Sequence, residues 1–207
     1  MLPPETGTLL EAAMIQTLRL VCLFLFGLLF LVVADAPFRT FRQAYVSNRL
    51  RERLILLAVE LDLVLFWALA VFLLHWDRRL LPVRHEATLV VPGTVLVVLG
   101  AALALRARLR LGRWFTGTLG VKVGHELATD GPYALTRHPM YTGLLAMALG
   151  AALVWDSALT LLLAVLLVVP FALQARIEEP LLEVHFGEAY REYRRRVPRL
   201  SPWPRPR

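Results

Sequence analysis

The feature that most constrains this chain is a series of long hydrophobic blocks with few charges inside them. The first, at 18–33, reads LRLVCLFLFGLLFLVV, and others follow at 54–76, 89–105, 140–154 and 158–173. Their apolar residues run consecutively instead of alternating with polar ones. A run near 20 residues spans roughly 30 Å of hydrocarbon at about 1.5 Å per residue. Hydrophobic residues make up 57% of the 207 and charged residues only 19%, against roughly half and a quarter in soluble domains. The expected fold class is all-α: a polytopic membrane protein of about five transmembrane helices, ending in a C-terminal helical hairpin.

The net charge of +7 does not point to nucleic acid, because the basic residues cluster between the blocks and at the C-terminus, where membrane lipid headgroups would meet them. The single cysteine, Cys22, lies inside the first block. It excludes an intramolecular disulfide and reads as a packed thiol; no metal site is expected. Ala34-Asp35-Ala36 after the first block resembles a signal-peptidase site, but no Lys or Arg precedes Arg19 and Pro37 would follow the cut. The block is read as an uncleaved transmembrane helix. Glu60 and Asp62 lie near the start of the second block, where acids are candidates for function in a transporter. No pair of broken helices in two halves supports that reading.

Blocks four and five are separated only by Trp155-Asp156-Ser157, which makes them the two arms of a hairpin, with Pro170 expected to bend the second. The fifth block runs on into a polar helix-forming stretch at 174–196 and then a Pro-rich tail. Orientation follows from Lys and Arg. Nineteen of the 23 fall between blocks one and two, between blocks three and four, and in the C-terminal region, against Arg78, Arg79 and Arg84 on the other side. With five spans the C-terminus is cytoplasmic.

The segment 124–143, GHELATDGPYALTRHPMYTG, is polar and aromatic and leads directly into block four. Gly131-Pro132 marks a turn, and Pro139 suits the first turn of a helix. Tyr133, Arg137, His138 and Tyr141 therefore gather at a positive helix end, suited to a carboxylate or phosphate. The bland alternative is an interfacial anchor of Tyr and Arg. The second constellation is Arg176, Glu178 and Glu179 just after block five. It suits a cationic ligand, or else a solvated helix whose acids pair with Arg191 and 194–196. A tight hairpin brings its two feet together, so RHPMY and ARIEE share one membrane face. A zwitterionic molecule would fit between them, with a lipophilic second substrate entering from the bilayer.

GPYALTRHPMYTG, a hydrophobic hairpin, and then RIEEPLLEVHFGEAYREYRRRVPR together resemble the isoprenylcysteine carboxyl methyltransferase and phospholipid methyltransferase superfamily of membrane enzymes. The resemblance covers 110–202. The blocks divide the chain into three N-terminal membrane helices at 1–105 and a loose tail at 203–207, and the resemblance implies a methyltransferase-like catalytic region at 106–202 between them. It also implies S-adenosyl-L-methionine as cofactor, with contacts on His125, Glu126, Leu127, Ala128, Tyr133, His138, Pro139, Met140, Tyr141 and Glu178. Candidate catalytic residues are Arg137, His138, Arg176 and Glu179. No glycine-rich dinucleotide-type fingerprint is present, as in the family. In eukaryotic prenylcysteine enzymes a substrate-binding arginine lies four residues before the matching glutamate; here that position is Gln174, which leaves the acceptor open among an isoprenylcysteine-type carboxylate, a phospholipid amine and a thiol. The expected function is a methyltransferase of the bacterial inner membrane with its active site facing the cytoplasm. The alternative is a non-enzymatic membrane accessory protein on the same scaffold.

Overall fold

The structure, a computed structural model, describes residues 4–40, 87–115, 124–156 and 158–200. They form α1 (Pro4–Thr40), α2 (Ala87–Leu111), a 3-10 turn (Gly112–Trp114), α3 (Pro132–Leu135), α4 (Pro139–Trp155), α5 (Ala158–Leu166), α6 (Val168–Phe186) and α7 (Glu188–Arg196). No strand occurs among the described residues. Three stretches, Leu10–Leu29, Thr88–Trp114 and Thr160–Phe186, are long and apolar enough to cross a membrane, and α4 is a shorter apolar helix. Block 54–76, with Glu60 and Asp62, lies outside the described residues. Leu20, Phe24, Leu99, Leu162 and Val169 are all more than half exposed. Such a surface is unfavourable in water and at home among lipid tails. The chain is an all-α, polytopic integral membrane protein.

Two differences from the sequence reading concern helix ends. The first block was expected to stop at 33, but α1 runs without a break through Ala34-Asp35-Ala36 to Thr40. The bend expected from Pro170 takes the form of a break at Leu167, between α5 and α6. The proline ring crowds the carbonyl four residues back, at Leu166, where α5 ends. The polar stretch expected as one helix over 174–196 is likewise two helices. Gly187, at φ 59° and ψ −130°, ends α6 and begins α7, a backbone conformation open to glycine and strained for other residues. The hairpin turn itself forms at Asp156, whose left-handed φ of 47° closes α4, a role that Asp tolerates better than most.

The core of the bundle is the crossing of α2 with α4. Gly93 and Gly100 on α2 face Gly150 and Gly143 on α4, two helical turns apart on each helix. The backbones are so close that a Cβ on Gly143 would lie 2.5 Å from the Gly100 carbonyl oxygen and 2.9 Å from the Ala104 Cβ. Small residues let membrane helices approach until dispersion contacts replace the missing hydrophobic drive. Val97, Met147 and Val154 fill the flanks, and Cys22 and Leu29 of α1 complete the same cluster. Gly143→Ala is expected to destabilise by about 1–3 kcal/mol, although alanine is the better helix former by about 1 kcal/mol. Gly27, whose added Cβ would meet nothing within 4 Å, is the control. Equal melting temperatures for Gly143→Ala and Gly27→Ala in detergent would contradict the close-crossing account.

Candidate active site

Beyond the α2–α4 crossing, a second cluster of Ala107, Ala128, Tyr133, Tyr190 and Tyr193 closes one end of the bundle. Gly131 takes a positive φ of 56° and Pro132 starts α3, so the chain turns sharply before RHPMY. The Tyr193 hydroxyl donates to the Tyr133 carbonyl at 2.7 Å, which ties α7 to this turn. The chain then runs past the segment 197–200 and hydrogen-bonds along it. Arg137 N–H donates to the Pro198 carbonyl at 2.8 Å and His138 N–H to the Arg199 carbonyl at 3.1 Å. The hydroxyls of Thr136 and Thr142 donate to the carbonyls of Arg199 and Leu200, each at 2.7 Å. A strap from the C-terminal region therefore lies across the start of α4.

Beneath the strap sits a buried ionic network. Arg137 Nε and Nη2 donate to Glu179 Oε1 at 2.9 and 2.6 Å, and both side chains are almost fully enclosed, 1% and 3% exposed. Arg137 Nη1 donates to the carbonyls of Arg194 and Val197 at 3.0 and 2.6 Å. Arg199 approaches Glu179 from the strap, Nε to Oε1 at 2.9 Å and Nη2 to Oε2 at 2.5 Å. Two guanidinium forks thus compensate one carboxylate, the geometry that makes burial of such a group tolerable.

Glu178, the neighbouring residue, points elsewhere. It lines an open cleft of about 150 Å³ and stays 24% exposed. Its Oε1 accepts from the Tyr141 hydroxyl at 2.5 Å, and its Oε2 lies 3.3 Å from His138 Nδ1. His138 Nε2 faces Glu179 Oε1 at 3.6 Å, beyond hydrogen-bonding distance. His138 is thus poised between two carboxylates. Burial works against its protonation, but the hydrogen bond to Glu178 and the charges of Glu178 and Glu179 outweigh it and raise its pKa above the ordinary imidazole value. The rings of His138, Tyr141 and Phe171 form a stack, with centroids 5.5 and 5.2 Å apart.

The opposite wall is aromatic and apolar. His125 stacks on Trp114 at 5.3 Å and meets Phe186 edge-on at 5.5 Å, while Leu127, Ala128 and Leu182 line the space between. Pro139 opens α4 with no side-chain cap at His138, so the first turn offers uncapped peptide N–H groups, a positive helix end beside the Glu178 carboxylate.

Of the sequence-predicted residues, His125, Leu127, Ala128, Tyr133, Arg137, His138, Pro139, Met140, Tyr141 and Glu178 all line this cleft. Glu126 and Arg176 are exposed and are not among its lining residues. Arg176 falls on the outer face because it lies about 160° of helical rotation away from Glu178 on α6 (~100° per residue, reckoned modulo a full turn). Glu179 is saturated by guanidinium groups, an arrangement suited to holding the site together more than to accepting a proton. Arg199, Thr136 and Thr142 were not singled out from sequence. The two threonines flank RHPMY, and their polar side chains beside that motif were the available signal.

A family model described as phospholipid methyltransferase matches residues 88–189. The chain is similar to protein-S-isoprenylcysteine O-methyltransferase B of Arabidopsis thaliana, 32% identical over 54% of this chain and 58% of that protein. It is also similar to the protein-S-isoprenylcysteine O-methyltransferase of Schizosaccharomyces pombe, 36% identical over 48% of this chain and 44% of that protein. Methanethiol S-methyltransferase 1 of Bradyrhizobium diazoefficiens is 27% identical over 97% of this chain and 72% of that protein. The chain spans about half the length of the isoprenylcysteine relatives. Among solved structures, the eukaryotic intramembrane Ras methyltransferase ICMT shares the fold, with a TM-score of 0.55 and 24% identity over 84% of this chain and 61% of that one. Fold and site together define a helical membrane protein with a cleft at the start of α4 and the fold of that intramembrane enzyme. Through 88–189 the chain is similar to the phospholipid methyltransferase family and to the isoprenylcysteine O-methyltransferases.

Proposed function

We propose that this chain is an integral membrane methyltransferase that binds S-adenosyl-L-methionine in the cleft at the start of α4 and methylates a lipophilic or small acceptor. The observation that carries the reading is the Glu178 carboxylate standing in the cleft beside the uncapped first turn of α4. One attracts an ammonium group and the other a carboxylate, so the pair suits an amino-acid zwitterion. The aromatic wall of Trp114, His125 and Phe186 suits a flat heterocycle. When bound, the cofactor supplies a methyl group on a positively charged sulfur.

The chain's own task is positioning and exclusion of water, which supplies much of the acceleration in a two-substrate transfer. Tyr141 and His138 hold Glu178 in place through its two oxygens. Leu181 and Leu182 line the cleft from α6, on the side a lipophilic acceptor would approach. Gln174, lying against the Tyr141 hydroxyl, stands where prenylcysteine enzymes carry an arginine. Without a cation there, a thiol is better suited as acceptor than a carboxylate, and the resemblance to a methanethiol S-methyltransferase along nearly the whole chain supports the same choice. The placement of Arg108, Arg110, Arg113 and the C-terminal arginines at the site's end of the bundle supports a cytoplasm-facing cleft, by the positive-inside rule.

The test is methyl transfer from radiolabelled S-adenosylmethionine to a panel of small thiols, prenylcysteine and phosphatidylethanolamine, using purified protein in lipid nanodiscs. Incorporation into a thiol is expected, together with a rise in melting temperature when the cofactor is added. A protein that gains no stability from the cofactor and transfers no methyl to any acceptor would be the non-enzymatic accessory protein instead.

A further inference from the structure

The strap at 197–200 does more than terminate the fold, because its one charged side chain reaches the network that orients the cleft. Arg199 grips both oxygens of Glu179 while its backbone carbonyl receives the Thr136 hydroxyl and the His138 N–H. The same residue is therefore fixed to the loop that carries His138 and to the carboxylate that faces His138. Arg199 is 33% exposed, and it is the strap's direct link to Glu179. The other groups around the imidazole are Glu178 and Glu179 from α6, Tyr141 stacked on it from α4, Arg137 beside it, and Tyr190 from α7, which lies within the field of Glu179.

We propose that Arg199 is a positioning residue of the cleft, holding Glu179 away from His138 so that His138 stays directed at Glu178. The consequence for ligand binding rests on the methyltransferase reading above. The physical argument is a competition between two carboxylates for one imidazole. With Arg199 in place, both Glu179 oxygens are engaged, and His138 Nε2 remains 3.6 Å from Oε1. Without it, Oε2 loses its partner, and the imidazole, whose Nε2 has no hydrogen-bond partner and lies 3.6 Å from Oε1, is the donor left uncommitted beside the carboxylate. His138 then swings toward Glu179, its contact with Glu178 at 3.3 Å lengthens, and Glu178 is left aimed by Tyr141 alone.

The experiment uses the full chain in nanodiscs and three variants: Arg199→Ala, Arg199→Lys, and Arg195→Ala, which removes an exposed surface pair with Glu188. Two quantities are read: the His138 titration from histidine-labelled NMR without ligand, assigned with His138→Gln, and the dissociation constant for S-adenosylmethionine. Arg199→Ala is expected to raise the His138 pKa by about one unit and to weaken cofactor binding on the order of tenfold. Arg199→Lys should restore the titration and part of the affinity, and Arg195→Ala should change neither. A merely structural arginine would lower the melting temperature without moving the His138 titration, and that result overturns the proposal. If Arg199→Ala does not survive purification, Arg199→Lys decides: wild-type titration with affinity reduced by a few-fold supports positioning, and wild-type affinity overturns it. A wild-type chain that binds no cofactor sinks the methyltransferase reading, whereas the ligand-free titration judges the Arg199 coupling separately.

Discussion

Arg137→Ala is expected to lower stability by about 3–5 kcal/mol, the cost typical of stripping one partner from a buried ion pair. The variant leaves Glu179 with the strap's guanidinium alone and deprives the carbonyls of Arg194 and Val197 of their donor. For a chain of this size that corresponds to a fall in melting temperature on the order of 10 °C. Arg137→Lys should recover little of it, because an ammonium group cannot present Nε, Nη1 and Nη2 to three acceptors in fixed directions. The double variant Arg137→Met with Glu179→Leu should be less damaging than either single change predicts, since the one charge left unpaired, Arg199, is 33% exposed and can reach water. Melting temperatures measured in one detergent for all three variants make the check. A loss under about 1 kcal/mol for Arg137→Ala would mean that the pair behaves as an exposed one.

The hydrophobic blocks made the fold class legible, because a run of apolar residues near bilayer length has few other uses. Where helices end was less legible. Pro170 signalled a bend in block five, but not that the break would fall one helical turn earlier, at Leu167. The packing of α2 on α4 did leave a signal in the sequence. Gly93 and Gly100, and Gly143 and Gly150, repeat at one spacing in two blocks, and only the fold reveals that the two pairs face each other.

The site was legible as a set of residues more than as a set of roles. The two feet of the hairpin do meet, through Arg137 with Glu179 and Tyr141 with Glu178. Which of two adjacent glutamates faces the cleft could not be read from the sequence, because consecutive helix positions diverge by about 100°. Helix rotation is set by packing along the whole of α6. Arg199 was hidden for another reason: it follows the last described helix and lies just before a proline-rich stretch of sequence. Its place beside the site comes from backbone pairing between residues some sixty positions apart, which leaves no local pattern.

Glu178→Gln is the substitution expected to separate binding from folding. Glutamine keeps the length of the side chain and an oxygen to accept the Tyr141 hydroxyl, so the melting temperature of the ligand-free protein should stay close to that of wild type. What disappears is the negative charge facing the cleft. A hydrogen bond to a charged group contributes about 1.5–3 kcal/mol, so affinity for S-adenosylmethionine should fall by roughly 10- to 100-fold. Glu179→Gln should show the reverse pattern, a large loss of stability that dominates any effect on affinity, because its charge compensates two arginines and faces no ligand. Tyr141→Phe, which removes one of the two groups that aim Glu178, should lie between wild type and Glu178→Gln in affinity. Calorimetric titration of the cofactor beside thermal melts of the empty protein resolves the two quantities. Equal affinity in Glu178→Gln and wild type would place the ammonium-binding group elsewhere, and loss of fold in Glu178→Gln would assign the two glutamates the opposite roles.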